Sequence, residues 1–289
     1  MAAGTRAGAT SRLAGTGKNV RFLIDGSDTQ VLPATDRGLA YGDGVFRTFR
    51  VRQGRARHWE LHYDRLVADC AALGLTPPAA DLLAEELLQV GASEADAVGK
   101  IIITRGSGAR GYDPAGAQHC TRLVGIGPMP RWPEDRRQGV RIRVCDFRLG
   151  GQPRLAGIKH LNRLENVLAR AEWTSPEIAE GLLLDERGRV VEGTMSNVFF
   201  VRDGILLTPD LSRCGVAGVQ RSRILAAAPA LGMQAAVAEL TLDDVFTCDE
   251  LFLVNSVIGL WPVRALDRRE WPVGPVTRRI GAELFHDLD

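Results

Sequence analysis

Patterning along the chain predicts a mixed α/β (α+β) protein of two domains, and three observations carry that expectation. The 289 residues exceed the usual size of a single domain. Strand-like runs, alternating or continuously apolar, are interspersed with helical stripes along the whole length. Near the middle, PMPRWPEDRRQG (128–139) sets three prolines ahead of a charge run, the pattern of a linker. The expected layout is a disordered tail over 1–19, a small N-terminal α/β domain over 20–130, a linker over 131–139 and a large C-terminal domain over 140–289.

Taken in order, VRFLID alternates weakly from Val20 and turns at Gly26–Asp28. Gly42, Asp43 and Gly44 make a tight turn, VFRTFRV alternates with period two, and Arg52-Gln53-Gly54 closes a hairpin. Glu60 to Leu73 reads as a helix with Tyr63, Leu66, Cys70 and Leu73 on one face. After Pro77-Pro78, a second helix spans about 81–90. VGKIIITRG reads as a buried strand running into the loop RGSGARGYDP, whose Arg105 and Arg110 could clamp a carboxylate or simply be solvated. CTRLVGIG and VRIRVCDFRL are strands on either side of the linker. A helix is expected from Asn162 to Trp173. GLLLDERGRVVEGTMSNVFFVRDGILLTP then reads as strand, turn, strand, turn, strand, with glycines at the ERG and RDG turns. Gly215 and Gly218 precede a helix from about Val219, and TLDDVF is a short helix. DELFLVNSVIGLWPV is a buried strand interrupted at Asn255 and Ser256. A hairpin at 267–269 and an amphipathic helix from Pro275 close the chain.

Composition narrows the function classes. Hydrophobic residues at 45% and charged residues at 25% describe an ordinary globular protein. A net charge of +1 lacks the basic excess of a nucleic-acid binder. Five cysteines (Cys70, Cys120, Cys145, Cys214 and Cys248) are odd in number, far apart and without a CxxC pair. They read as reduced thiols of a cytoplasmic protein rather than as a disulfide framework or a zinc site. No apolar run approaches the ~20 residues of a membrane span. The first 19 residues lack the apolar core of a secretory signal; an organellar targeting peptide is the alternative to a disordered tail.

Lys159 is the focus of the chemistry. Of 36 basic residues only Lys18, Lys100 and Lys159 are lysines; the other 33 are arginines. Arginine stays charged, whereas lysine can lose its proton and attack a carbonyl. Lys159 follows the small apolar run Leu155-Ala156-Gly157-Ile158 and precedes Leu161, Leu164, Leu168 and Ala171 at helical spacing. Desolvation there lowers an amine's pKa and suits it to Schiff-base chemistry. An ordinary surface lysine before a helix is the other reading. Glu192 lies 33 residues later in a strand, and a glycine-initiated helix offers N–H groups to an anion. An amine, an inward carboxylate and an anion-binding helix start are together what pyridoxal 5'-phosphate requires: a lysine for the aldehyde, a carboxylate for the pyridine nitrogen and donors for the phosphate.

At this point the chain resembles the class IV pyridoxal-phosphate aminotransferases (fold type IV, two domains, D-amino-acid-aminotransferase-like). DRGLAYGDGVF, HYDRL, RGSGARGY, LAGIKHLNRLENVLAR, EGLLLDERGRVVEGTMSNVFF, GVAGVQR and NSVIGLWPV carry the likeness from about Val20 to Val263. LAGIKHLNRLE and RGSGARGY are more similar to the family's lyase branch than to its branched-chain or D-amino-acid aminotransferases, which remain the alternative. A cofactor-free binding protein is a distant third reading. The resemblance implies that Lys159 holds the cofactor covalently and that Glu192 contacts the pyridine nitrogen. It gives the phosphate to Arg65, the backbone of Val219 and Gln220, and Ser256. Arg110 and Asn255 would face the substrate, and Asn197 could be structural only. Phe46 stands where many family transaminases carry tyrosine, so no tyrosyl hydroxyl is available there. The implied reaction turns 4-amino-4-deoxychorismate into 4-aminobenzoate and pyruvate, a step of folate biosynthesis. The implied assembly is a homodimer in which the RGSGARGY loop could serve the partner's site.

Overall fold

The computed structural model describes residues 20–29, 31–117 and 119–286. The tail expected over 1–19 lies outside them. Two sheets organise the described residues. The first is antiparallel throughout, in the order β1-β5-β4-β2-β3. Its elements are β1 (Arg21–Ile24), α1 (Arg37–Tyr41), β2 (Gly44–Arg52), β3 (Arg55–Ala56), α2 (Trp59–Ala72), α3 (Ala80–Gly91), β4 (Ala97–Thr104) and β5 (Thr121–Pro128). Phe49, Leu66, Cys70, Leu83, Leu87, Ile101 and Ile103 pack between this sheet and α2 and α3. Each is at most 1% exposed, so this half has a closed apolar core of its own.

The second sheet runs β11-β10-β9-β12-β13-β6-β7-β8, with β14 paired to β13. Its strands are β6 (Val140–Leu149), β7 (Ile178–Asp185), β8 (Val190–Gly193), β9 (Asn197–Arg202), β10 (Ile205–Pro209), β11 (Ala235–Ala238), β12 (Glu250–Asn255), β13 (Gly259–Leu266) and β14 (Arg269–Glu270). Helices α4 (Leu164–Arg170), α5 (Val219–Ala227), α6 (Leu242–Thr247) and α7 (Pro275–Leu284) accompany it. The pairs β10/β11, β13/β6 and β6/β7 are parallel. The continuous apolar runs expected of buried strands are there: β7 through β10 are almost wholly buried.

Four local features depart from the sequence expectation, the unanticipated strand β11 among them. Helix α1 was not anticipated; Asp36 nucleates it by accepting the N–H groups of Gly38 and Leu39 at 2.8 and 3.3 Å. The helix expected over 162–173 spans only Leu164–Arg170, because residues 159–161 extend along β2 and Asn162 donates to the Gly42 carbonyl at 3.1 Å. VVEGTMSNVFF is two strands, since 194–196 leave the ladder to hydrogen-bond Glu180. The five cysteines are free thiols. Among the described residues no helix is long and apolar enough to cross a membrane.

Candidate active site

The segment carrying Lys159 is stitched to β2 of the first sheet and to the loop that leads into α5. Phe46 donates its backbone N–H to the Lys159 carbonyl at 2.9 Å, and Leu161 donates to the Gly44 carbonyl at 3.0 Å, so residues 159–161 lie along β2. On the other side, Gly157 bonds Gly215 and Ala217 through its own N–H and carbonyl at 2.9 and 3.1 Å. Its φ of +76° is open to glycine without a steric penalty. Ile158 anchors in the core of the first sheet. Lys159 is thereby held at the junction, with its Nζ 4.6 Å from the centre of the Phe46 ring.

A cavity of about 450 Å³ opens there, and Lys159, Glu192, Val219, Gln220, Asn255 and Ser256 all line it. Residues well separated in sequence thus converge on one space. Burial, reinforced by Arg47, moves the Lys159 amine below the ordinary lysine range, while Glu192 acts in the opposite sense. Glu192 is 4% exposed and accepts the Val216 N–H at 2.9 Å. Burial raises its pKa; that hydrogen bond, Arg163 and Lys159 oppose the rise.

At the α5 end, the first helical N–H groups belong to Val219 and Gln220, behind the cap residue Gly218. Asn197 sets the approach to that helix. It donates to the Val216 carbonyl at 2.8 Å and accepts the Gly218 N–H at 3.0 Å, so its side chain is structural. Ser256 accepts from the Gln220 amide at 3.3 Å. Arg65 stands behind this wall rather than in the cavity lining. It donates to the Gly157 carbonyl at 2.5 Å, and its Nε lies 3.3 Å from Asp69.

Asn255 lines the cavity, but its Oδ1 accepts the N–H groups of Val257 and Ile258, both at 2.8 Å, and its Nδ2 donates to Met195 at 3.0 Å. It shapes the β12–β13 turn. Arg110 is not brought to the cavity of its own chain: it is exposed on the loop after β4. Arg37 supports that loop through the carbonyls of Gly111, Tyr112 and Asp113, and Arg105 is tied down by Asp43 at 2.8 Å.

Several lining residues escaped the sequence reading. Arg163 is half-buried in the wall, four residues after Lys159, and contacts the His160 ring. His62 is 3% exposed, and neither ring nitrogen has a hydrogen-bond partner among the described residues. Burial and Arg47 push it down to about 3, so it is neutral. Arg47 lines the cavity and pairs with buried Asp69. Outside the lining, Lys100 lies 5.3 Å from the Phe46 ring centre.

Comparisons with known proteins show the family and the fold. The family model for amino-transferase class IV matches residues 44–266. An aminodeoxychorismate lyase of Vibrio harveyi is 36% identical over 271 residues, covering 91% of this chain and 99% of that protein. The crystal structure of 4-amino-4-deoxychorismate lyase from Pseudomonas aeruginosa is similar with a TM-score of 0.86 and 47% identity, over 91% of this chain and 99% of that one. A branched-chain-amino-acid aminotransferase of Pseudomonas aeruginosa is 27% identical, over 89% of this chain and 87% of that protein.

Proposed function

This chain belongs to the class IV aminotransferase family, and on that premise we propose that it is an aminodeoxychorismate lyase, a carbon–oxygen lyase using pyridoxal phosphate held by Lys159. The observation that carries the reading is the convergence of the Lys159 amine, the buried Glu192 carboxylate and the start of α5 on one cavity.

The residues fit the cofactor. A phosphate needs donors, and the N–H groups at the start of α5, the Ser256 hydroxyl and the nearby Arg65 supply them. The imidazole of His62, buried without partners, adds donor capacity in the same wall. Glu192 has hydrogen-bonding room beyond its Val216 contact for a pyridine nitrogen. When bound, pyridoxal phosphate supplies an aldehyde that condenses with amines and a ring that accepts electron density.

The chain's own groups then have distinct tasks. Glu192 holds a proton at the ring nitrogen. Released when the substrate's own amino group takes its place on the cofactor, the Lys159 amine, kept partly neutral by burial, would take the proton from the substrate carbon that bears that amino group. The resulting ammonium returns that proton to the enolpyruvyl oxygen as it departs. The products are 4-aminobenzoate and enolpyruvate, which becomes pyruvate; no acceptor keto acid is consumed. Arg163 is a cavity-lining cation suited to a substrate carboxylate. The apolar Phe46 face keeps water from the amine.

We also propose the two-domain division at 131–139 and a homodimer. Leu164, Val167 and Leu168 form one face of α4 and are 73%, 59% and 54% exposed, and Tyr112 on the Arg110 loop is 84% exposed. In a dimer the Arg110 loop would serve the neighbouring cavity. A fully active monomer in sedimentation experiments contradicts this.

The test is incubation of the purified protein with 4-amino-4-deoxychorismate and no keto acid. Equal amounts of 4-aminobenzoate and pyruvate are expected. Conversion of the bound cofactor to its pyridoxamine form by leucine or D-alanine, with no 4-aminobenzoate produced from the chorismate, assigns the chain to the aminotransferases instead.

A further inference from the structure

Asp69 and Arg47 form a buried pair that the reaction outlined above does not use. Asp69, on α2, is 1% exposed; Arg47, on β2, is 2% exposed. The Asp69 carboxylate is approached from three directions: it accepts from the Arg47 guanidinium and from the backbone N–H of Lys159 at 3.1 Å, and the Nε of Arg65 lies 3.3 Å away as an ion-pair contact. One carboxylate thus joins the strand beside the amine, the peptide that carries the amine and the arginine behind the α5 wall. A buried ion pair adds little stability that apolar side chains of similar size would not. Its placement against Lys159 therefore calls for another explanation.

We propose that Asp69 and Arg47 are positioning residues for Lys159: Asp69 fixes the backbone from which the amine projects, and the two opposite charges balance one another beside it. The other charged or titratable groups facing Lys159 are Lys100 on β4, Glu192 on β8, Arg163 on its own segment and His62 on α2. Asp69 pairs with Arg47 and also lies 3.3 Å from the Nε of Arg65 on α2, so removing Asp69 leaves two guanidinium charges uncompensated, and removing Arg47 makes the cluster one unit more negative. The first change disfavours the ammonium; the second favours it. The inference rests on Lys159 being the reacting amine. It is independent of the substrate, and its test uses cofactor-free protein, so its failure is distinguishable from failure of the lyase assignment.

The experiment is competitive labelling of the cofactor-free protein with acetic anhydride across pH, with an added model amine as internal standard. With three lysines in the chain, peptide mass spectrometry reads Lys159 alone. Asp69→Asn is expected to move the Lys159 titration down by about one pH unit, and Arg47→Met up by about one. Arg47→Lys and the double variant Arg47→Met/Asp69→Asn are expected to titrate near wild type. A loss of packing alone moves both single variants the same way. Shifts of one sign, or none, overturn the proposal. Circular dichroism checks folding. Should either single variant fail to fold, the double variant decides: titration within a few tenths of a unit of wild type supports the balance, and a displacement of a unit overturns it.

Discussion

Glu180 and Glu192 sit on adjacent strands, β7 and β8, at 1% and 4% exposure. Burial raises the pKa of both. Their hydrogen bonding differs. Glu180 accepts from the backbone of Gly181, Thr194 and Met195 and from the hydroxyls of Thr194 and Ser196, at 2.5 to 3.2 Å. Glu192 accepts only the Val216 N–H among the described residues and borders the cavity. One carboxylate is saturated and builds the 194–196 turn; the other keeps acceptor capacity facing open space. Unused polar capacity at a cavity wall, rather than burial or a shifted pKa, separates the group placed for chemistry from the group placed for architecture.

The contrast can be broken by substitution. Lys159→Ala removes the amine that the unsaturated carboxylate faces. Loss of the cofactor's visible absorbance and of all pyruvate release is expected, and activity without added amine would contradict it. Glu192→Gln is expected to lower turnover by about 10²- to 10⁴-fold while the cofactor still binds and the melting temperature changes little. A variant within a few-fold of wild type means another carboxylate does the work. Glu180→Gln is expected to reverse that profile, with a stability loss of about 3 kcal/mol by denaturant unfolding. Whichever oxygen becomes an amide nitrogen then meets a backbone N–H that cannot turn away.

The smallest expected effect sharpens the comparison from the side of a base. His62, like Glu192, borders the cavity with unused capacity. Its pKa is about 3 in the folded chain against about 6.5 unfolded, so the unfolded state binds more protons between those values. Stability from this residue is present above pH 6.5 and declines as pH falls. Between pH 6.5 and 5.5 the decline is about 1 kcal/mol. His160, pushed down to about 4, adds in the same sense. In the cofactor-free protein, His62→Phe should remove about half of the slope that the two histidines impose; an unchanged slope means His62 has other partners.

Much of the site was legible because its chemistry is carried by local motifs. A rare lysine after a small apolar run, an acid in a buried strand and glycines before a helix need no distant partner to be noticed, and Lys159, Glu192, Val219 and Gln220 do line one cavity. The supporting groups were hidden. On α2 the stripe of Leu66 and Cys70 was visible, but Asp69 and His62 lie off that stripe and drew no notice, although they are buried. Asp69 meets Arg47 22 residues away, and Glu180 meets its turn 14 to 16 residues away; such pairings have no local signature. A lone acid within the apolar run of β7 was the one available hint of Glu180. Helix α1 is five residues long and owes its existence to the Asp36 cap, too short for periodicity to register. Arg110 was singled out by its loop, yet it lies on the exposed surface, where a role requires a neighbouring subunit.

The most direct test of the account is to reduce the freshly isolated protein with borohydride, digest it and map the product by mass spectrometry. The mass of the reduced phosphopyridoxyl group is expected on the peptide containing Lys159 and absent from those containing Lys18 and Lys100. An unmodified Lys159 in a preparation that turns over substrate, or the label on another lysine, would contradict it.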